Sequence, residues 1–429
     1  MHSDTLMRSS SVPLRRAALW TATVAITTAS VLVAIQFPPA GLALVLASGV
    51  VAIVRSIPGL AILLLLAGPI LGPRIQLGAV TLDNVLTLVG LALAFLWAIT
   101  QRRLPFTALS AFSLALSFSI GVSALASGTP SGPAILRYIG VAALAGIVVL
   151  SRDSISPARV RRIGLGVTLT AALTVIAQPF ITLIPAYQDP DTGVLRYGGL
   201  VGHPNFAACV LAITILYLVA SGPANASSWI CIGVMGTAIL TTGSLGALGA
   251  LGIAALILVL KSFRWLVSGL VAAGIVFAIA GGTLLARVDG LANLASGQNS
   301  LTWRFERWSQ SLGLAPVPNF FGIGWEQIES ALNGPAHSSY VAIYVELGLI
   351  GVAALTAGAV ITARAAHKER FSLAVIIFVL IASATDPVIF YPATVVTWVL
   401  VLGLRQREGD GPRKASASLE EQDPSPLLR

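Results

Sequence analysis

Apolar runs of about 17–22 residues recur from Trp20 to Leu404, separated by short polar breaks. Runs of this length, apolar on all sides, mark helices that cross a bilayer. The ten-residue alternating segments of a membrane β-barrel are absent. The breaks predict helices over 16–35, 38–54, 58–72, 83–99, 106–126, 138–151, 163–184, 205–220, 228–243, 245–260, 266–285, 338–361, 371–385 and 391–404. That makes 14 membrane helices. The number falls to about 12 if the pairs split at Arg55/Pro58 and at Thr242-Gly243-Ser244 hold half-helices or re-entrant pieces. A shorter amphipathic helix is expected at 301–313, with Trp308 and Leu312 on one face; Pro316, Pro318, Gly322 and Gly324 end it. The expected fold class is an all-α polytopic membrane protein. One membrane domain spans 1–404, with extracytoplasmic loops 185–204 and 286–337, and 405–429 is a disordered tail. Arg15 and Arg16 precede an apolar run without an obvious cleavage site, so the N-terminus reads as an uncleaved first helix.

Composition agrees. The 429 residues are 56% hydrophobic and 10% charged, where a soluble chain carries about 25% charged residues. The net charge of +9 does not signal nucleic acid, because the cations sit in short clusters between apolar runs. Cys209 and Cys231 fall inside such runs, as small buried residues do, and no disulfide framework is indicated. With a cytoplasmic N-terminus, 20 of the 26 Lys and Arg residues fall on the cytoplasmic side. The positive-inside rule then places both termini in the cytoplasm. The outer cations are Arg74, Arg137, Arg196, Arg287, Arg304 and Arg307, and the last four lie in the two long loops.

Those loops hold the candidate chemistry. Pro204 can open a helix after Arg196…Gly202-His203, with Asn205 in its first turn. Free N–H groups beside Arg196 would suit a phosphate; a plain turn into a helix is the alternative. Arg304 and Arg307, three residues apart next to Trp308, project from one side of a helical turn. They suit phosphate oxygens, or else lipid headgroups. His337 opens the helix 338–361 and can serve as a base near neutral pH, or be structural. Ser338 or Ser339 can cap that helix, and Tyr340 lies on a neighbouring face. Glu346 sits deep enough to need a cavity or a partner, with arginine the natural choice. Gly348 and Gly351 permit close helix packing. Ser244 either lines the same cavity or interrupts a helix. The outer acids Asp83, Asp189, Asp191, Asp289, Glu306, Glu326, Glu329 and Asp386 look scattered, with a DxD-like pair at Asp189-Pro190-Asp191. No Walker-type loop, HExxH or Cys/His metal spacing occurs, so no cofactor and no metal are expected.

Taken in order, Arg196…Gly199…Gly202-His203-Pro204-Asn205, Thr242…Ser244, Arg304…Trp308, Gly322-Ile323-Gly324 and His337-Ser338-Ser339-Tyr340…Glu346-Leu347-Gly348…Gly351 resemble the O-antigen ligase / O-antigen polymerase family. One position departs: Leu245 stands where the family often has arginine after serine. The resemblance implies a GT-C-like multi-helix bundle that uses neither nucleotide sugar nor metal. The donor would be a polyprenyl-diphosphate-linked glycan at the outer face of the cytoplasmic membrane, and the acceptor a glycan or glycolipid. A diphosphate leaving group needs cations, and an acceptor hydroxyl needs a base. The expected assignment therefore has Arg196 and Arg304 holding the diphosphate and His337 activating the hydroxyl. His203, Asn205, Arg307, Trp308, Ser338, Tyr340 and Glu346 are expected to contact substrate, Glu346 by steadying an arginine. The competing class is a transporter or flippase, which would keep its polar residues nearer the bilayer midplane. The distinction rests on whether Arg196, Arg304 and His337 gather around one outward-facing cavity.

Overall fold

A computed structural model of the chain describes residues 57–77, 80–181, 184–188, 195–221, 226–259, 300–366 and 370–409. The expected helices at 16–35, 38–54 and 266–285, Asp189 and Asp191, and the tail from 410 lie outside these residues. Internal contacts divide the chain into residues 1–60 and 61–429, and the second unit is described below.

The described residues form thirteen α-helices: α1 (Ile57–Leu71), α2 (Leu82–Thr100), α3 (Ala111–Ser127), α4 (Gly132–Leu150), α5 (Pro157–Ala177), α6 (Pro204–Ala220), α7 (Ala226–Thr242), α8 (Leu245–Val259), α9 (Ser300–Gly313), α10 (Gln327–Leu332), α11 (Ser339–Ala366), α12 (Arg370–Thr385) and α13 (Pro392–Gly409). Two small antiparallel hairpins accompany them. One pairs β1 (Gln76–Leu77) with β2 (Val80–Thr81), and the other pairs β3 (Tyr187–Gln188) with β4 (Leu195–Arg196). Five helical segments are long and apolar enough to cross a membrane: Leu82–Thr100, Ala108–Ser127, Gly132–Leu150, Pro157–Phe180 and Ser339–Ala365. The chain is an all-α polytopic membrane protein.

Every expected helix that falls on described residues is present, and the ends move in a systematic way. α4 starts at Gly132 rather than 138, with Pro133 in its first turn and Arg137 already helical. α5 starts at Pro157, so Arg159, Arg161 and Arg162 lie inside it. α13 runs to Gly409, absorbing the start of the expected tail. Hydropathy marks the hydrocarbon slab, whereas long cationic side chains let a helix continue past it.

α6 is buried along almost its whole length, from Pro204 to Leu218, because its sequence is apolar on every side. It packs against α7, α8 and α13. α2 is peripheral and presents Leu88, Leu96 and Ile99 outward, as a lipid-facing helix does. The most extensive helix pair is α3 with α11.

α11 is not continuous. Gly348 has φ 66° and ψ −171°, which breaks the helical hydrogen bonds inside an apolar segment. Segment 319–324 repairs the break. Leu349 and Ile350 donate their N–H groups to the carbonyls of Asn319 (2.9 Å) and Phe320 (3.1 Å). Ile323 and Gly324 donate to the carbonyls of Val345 (3.0 Å) and Glu346 (3.2 Å). The Asn319 amide donates to the Tyr344 carbonyl at 2.6 Å. Ser123 of α3 also donates its hydroxyl to the Glu346 carbonyl, at 2.5 Å. Unpaired backbone groups at this depth would each cost several kcal/mol. A Cβ on Gly322 would lie 2.0 Å from the Glu346 carbonyl oxygen, and one on Gly348 would lie 2.5 Å from the Phe320 carbonyl oxygen. The expected packing glycine at 348 is therefore a break that loop 319–324 fills.

Gly348→Val is expected to destabilise the fold by at least about 1–3 kcal/mol, from backbone strain alone. Gly132→Ala has open space and should be near neutral. Melting of the two detergent-purified variants checks this; equal midpoints would contradict the clasp.

Candidate functional site at one end of the bundle

The site is assembled from helix ends that all lie at one end of the bundle. They are the starts of α2, α4, α6, α8, α11 and α13 and the ends of α5, α7 and α12. At its centre is Asp386, 4% exposed, in the turn after α12. Its Oδ1 accepts the Asn205 amide at 2.7 Å and lies 3.8 Å from His337 Nδ1. Its backbone carbonyl accepts the Ser339 hydroxyl at 3.1 Å, and the same hydroxyl accepts the Ile389 N–H at 3.3 Å. Asn205 in turn accepts an Arg196 Nη2–H on its Oδ1. Arg196 Nε donates to the Thr242 carbonyl at 3.0 Å. Arg196, Asn205, Asp386 and His337 therefore form one chain of contacts across α6, α7, α11 and α12.

His203 caps α6. Its Nδ1 accepts the Asn205 N–H at 3.3 Å, and Pro204 occupies the first turn. One of the N–H groups expected to be open to phosphate is thus taken. The His203 ring sits 4.9 Å from that of Tyr187 and 4.7 Å from that of Phe206. Burial, opposed by Asp386 and aided by Arg196, pushes its pKa from 6.5 down to about 4. With its pKa this low, the His203 that caps α6 is neutral at physiological pH.

α9 covers His337 from the outside. The Trp303 ring meets the His337 ring edge-on at 4.7 Å, and Trp308 Nε1 donates to the His337 carbonyl at 3.4 Å. Arg307 lies over the Trp303 ring at 5.3 Å and donates to the Leu332 carbonyl at 2.7 Å. At 100° per residue, Arg304 falls between Trp303 and Trp308 on the stripe that leads to fully buried Ser311. Among the described residues Arg304 has no hydrogen bond or ion-pair partner. Phe305 (55% exposed) and Leu312 turn outward, Leu312 one turn beyond Trp308 on the same side of the helix, and the Phe305 ring meets that of Trp308 edge-on at 5.0 Å. His337 itself has φ 52°, a left-handed turn just before α11. Its Nδ1 has no hydrogen-bond donor or acceptor among the described residues.

Other expected contacts fall differently. Ser338 caps α11 through the Val341 N–H, at 3.5 Å. Tyr340 is 46% exposed and donates to the Leu380 carbonyl at 2.8 Å, tying α11 to α12 rather than facing His337. Glu346 holds no arginine among the described residues; its Oε1 accepts the Ile328 N–H of α10 at 3.0 Å. Ser244 accepts the Ala247 N–H at 3.4 Å and so caps α8. Arg74 staples loops, donating to the Pro185 carbonyl at 2.7 Å and to the Gly202 carbonyl. Asp83, read as scattered, pairs with Arg137 at 2.9 Å. Asp386, also read as scattered, is the hub. It was legible as an ionisable residue in the apolar run Ile381–Tyr391, the same signal that singled out Glu346.

A cavity of about 290 Å³ opens beside this network. Ala336 and Pro387, the neighbours of His337 and Asp386, line it together with Arg137, Trp325, Glu326, Glu329, Glu346 and Tyr391. Arg196, Arg304 and His337 do not line it themselves, so the expected gathering of these three around one cavity is not found there. Among the described residues no three His, Cys, Asp or Glu side chains converge as a metal site.

The family model described as O-antigen ligase matches residues 228–356. This stretch carries α7 to the first two thirds of α11, including Arg304, Trp308, His337 and Glu346. Over these residues the chain is similar to the O-antigen ligase family, whose members serve in cell-surface polysaccharide biosynthesis. No curated protein matches it.

A neutral buried histidine costs stability when it must be protonated. The unfolded chain binds the His203 proton below 6.5 and the folded chain only near 4. The stabilising contribution is complete above pH 6.5 and is lost as pH falls from there through about 4. The melting midpoint is expected to drop over this window, and His203→Asn, which keeps a capping side chain, should flatten the drop. An unchanged slope in the variant would contradict the assignment.

Proposed function

We propose that the chain transfers a glycan from a polyprenyl-diphosphate carrier to an acceptor hydroxyl at the outer face of the cell membrane. Both termini would lie in the cytoplasm. The observation that carries this reading is the sandwiching of His337 between buried Asp386 and the arginine-bearing face of α9. Support also comes from the ligase family match over this region and from the gathering of the site at one end of the bundle.

In this reading His337 takes the proton of the acceptor hydroxyl as that oxygen attacks the anomeric carbon. The bond from that carbon to the diphosphate oxygen breaks, and the diphosphate leaves with the electron pair. A single displacement inverts the anomeric centre. Arg304 meets the developing charge directly, because none of the described residues engages its guanidinium. Arg196 serves from behind: its donors hold Asn205 and the end of α7. Asp386 orients His337 and stabilises the imidazolium once it is protonated. Trp303 and Trp308 fix α9 over the ring, and the polyprenyl tail runs in the apolar surface outside the site. No residue distinguishes ligase from polymerase chemistry, since only the acceptor differs.

His337→Ala is expected to lower transfer about 10²- to 10⁴-fold, and Arg304→Ala about 10²- to 10³-fold. The assay uses reconstituted protein and a lipid-linked oligosaccharide. Full transfer by His337→Ala would remove the base assignment.

A further inference from the structure

The cavity beside His337 differs in character from the α9 face. Its charged lining consists of Asp83, Arg137, Glu326, Glu329 and Glu346. Arg137 is cancelled by Asp83, at 2.9 Å, and also donates to Asn84 Oδ1 at 3.1 Å. Glu326 and Glu329 have no ion-pair partner among the described residues. Burial and the nearby Glu326 charge raise the pKa of Glu329, with His337 opposing them. The excess of carboxylates over guanidinium in this lining disfavours a diphosphate there.

Its remaining walls suit a sugar ring. Trp325 is held edge-on to Tyr138 (6.0 Å between rings) and tilted on Phe390 (4.8 Å), so its plane is fixed. Tyr391 and Phe390 complete an aromatic lining beside the carboxylates. Fixed aromatic faces take the C–H surface of a sugar, while separated carboxylates accept its hydroxyls. No three acids converge among the described residues, so they are spaced for several donors rather than for one cation. A volume near 290 Å³ is at the small end of ligand pockets, and admits one or two sugar rings. The wall is rigid where it counts: Glu346 sits at the broken turn of α11, clamped by Ser123 and by Gly324 of the 319–324 loop, and its carboxylate caps α10, which carries Glu329.

We propose that this cavity is the subsite for the accepting sugar, and that Glu326 and Glu329 select neutral or amino sugars against uronic or phosphorylated ones. The proposal rests on the transferase reading above. The two ends of the reaction are then separated by the sign of charge: arginine on α9 for the donor diphosphate, carboxylates for the acceptor ring. Ala336 and Pro387 put the sugar next to His337 and Asp386.

The test measures binding alone. Full-length protein in detergent is titrated with methyl glucoside, methyl glucosaminide and methyl glucuronide, with thermal stabilisation as readout. The glucoside and glucosaminide should bind, and the glucuronide at least about tenfold more weakly. In Glu326→Gln/Glu329→Gln that discrimination should shrink at least about threefold. Equal binding of the three sugars, no binding by any, or an unchanged ratio in the variant would each overturn the subsite. A failed transferase reading would appear separately, as wild-type protein that makes no glycan linkage in reconstituted membranes while the sugar preference stands.

Discussion

A carboxylate buried at the end of a membrane bundle must be compensated from every side, and Asp386 is where this molecule meets that requirement. Its side chain receives Asn205 and faces His337, and its backbone carbonyl is held by Ser339. Four elements are thereby locked: the start of α6, the start of α11, the end of α12 and, through Arg196, the end of α7. Removing one member would leave a buried charge or amide unpaired, which costs far more than the contact itself contributes. The position of His337 follows from this network, and its left-handed backbone is tolerable because the surroundings over-determine it.

A second constraint, the break in α11, shapes the other side of the site. Gly348 interrupts a membrane helix, and segment 319–324 supplies the missing partners. The segment 300–337 is thereby tied into the bundle, with α9 covering His337 and α10 forming a cavity wall. Loop, helix break and cavity are one construction, and the charges divide across it: guanidinium on the α9 face, carboxylates in the cavity.

Much of this was legible in the sequence, for identifiable reasons. Apolar runs located the described membrane helices because the bilayer imposes length and composition. Amphipathic patterning found α9, and Pro204-Asn205 found the start of α6. Helix ends were missed where arginines extend a helix beyond the hydrocarbon, as at Arg137, Arg159 and Arg407. Glu346 was recognised as needing a partner, but the partner is the backbone of α10, a six-residue helix with no periodic signature. Tyr340 was grouped with His337 by proximity in sequence, and helix geometry sends it to α12 instead. Asp386 lies 49 residues beyond His337, and only the fold brings them together. Long-range polar pairing leaves no periodic trace, which is why the hub of the site escaped a reading that found most of its rim.

In the proposed glycan transfer Arg196, Asn205, Asp386 and His337 act as one unit. A double-mutant cycle on the transfer rate, with Asn205→Ala and Asp386→Asn made singly and together, tests it most directly. Strong non-additivity is expected, with the double variant scarcely slower than the slower single variant. Losses that multiply would show two independent residues and contradict it.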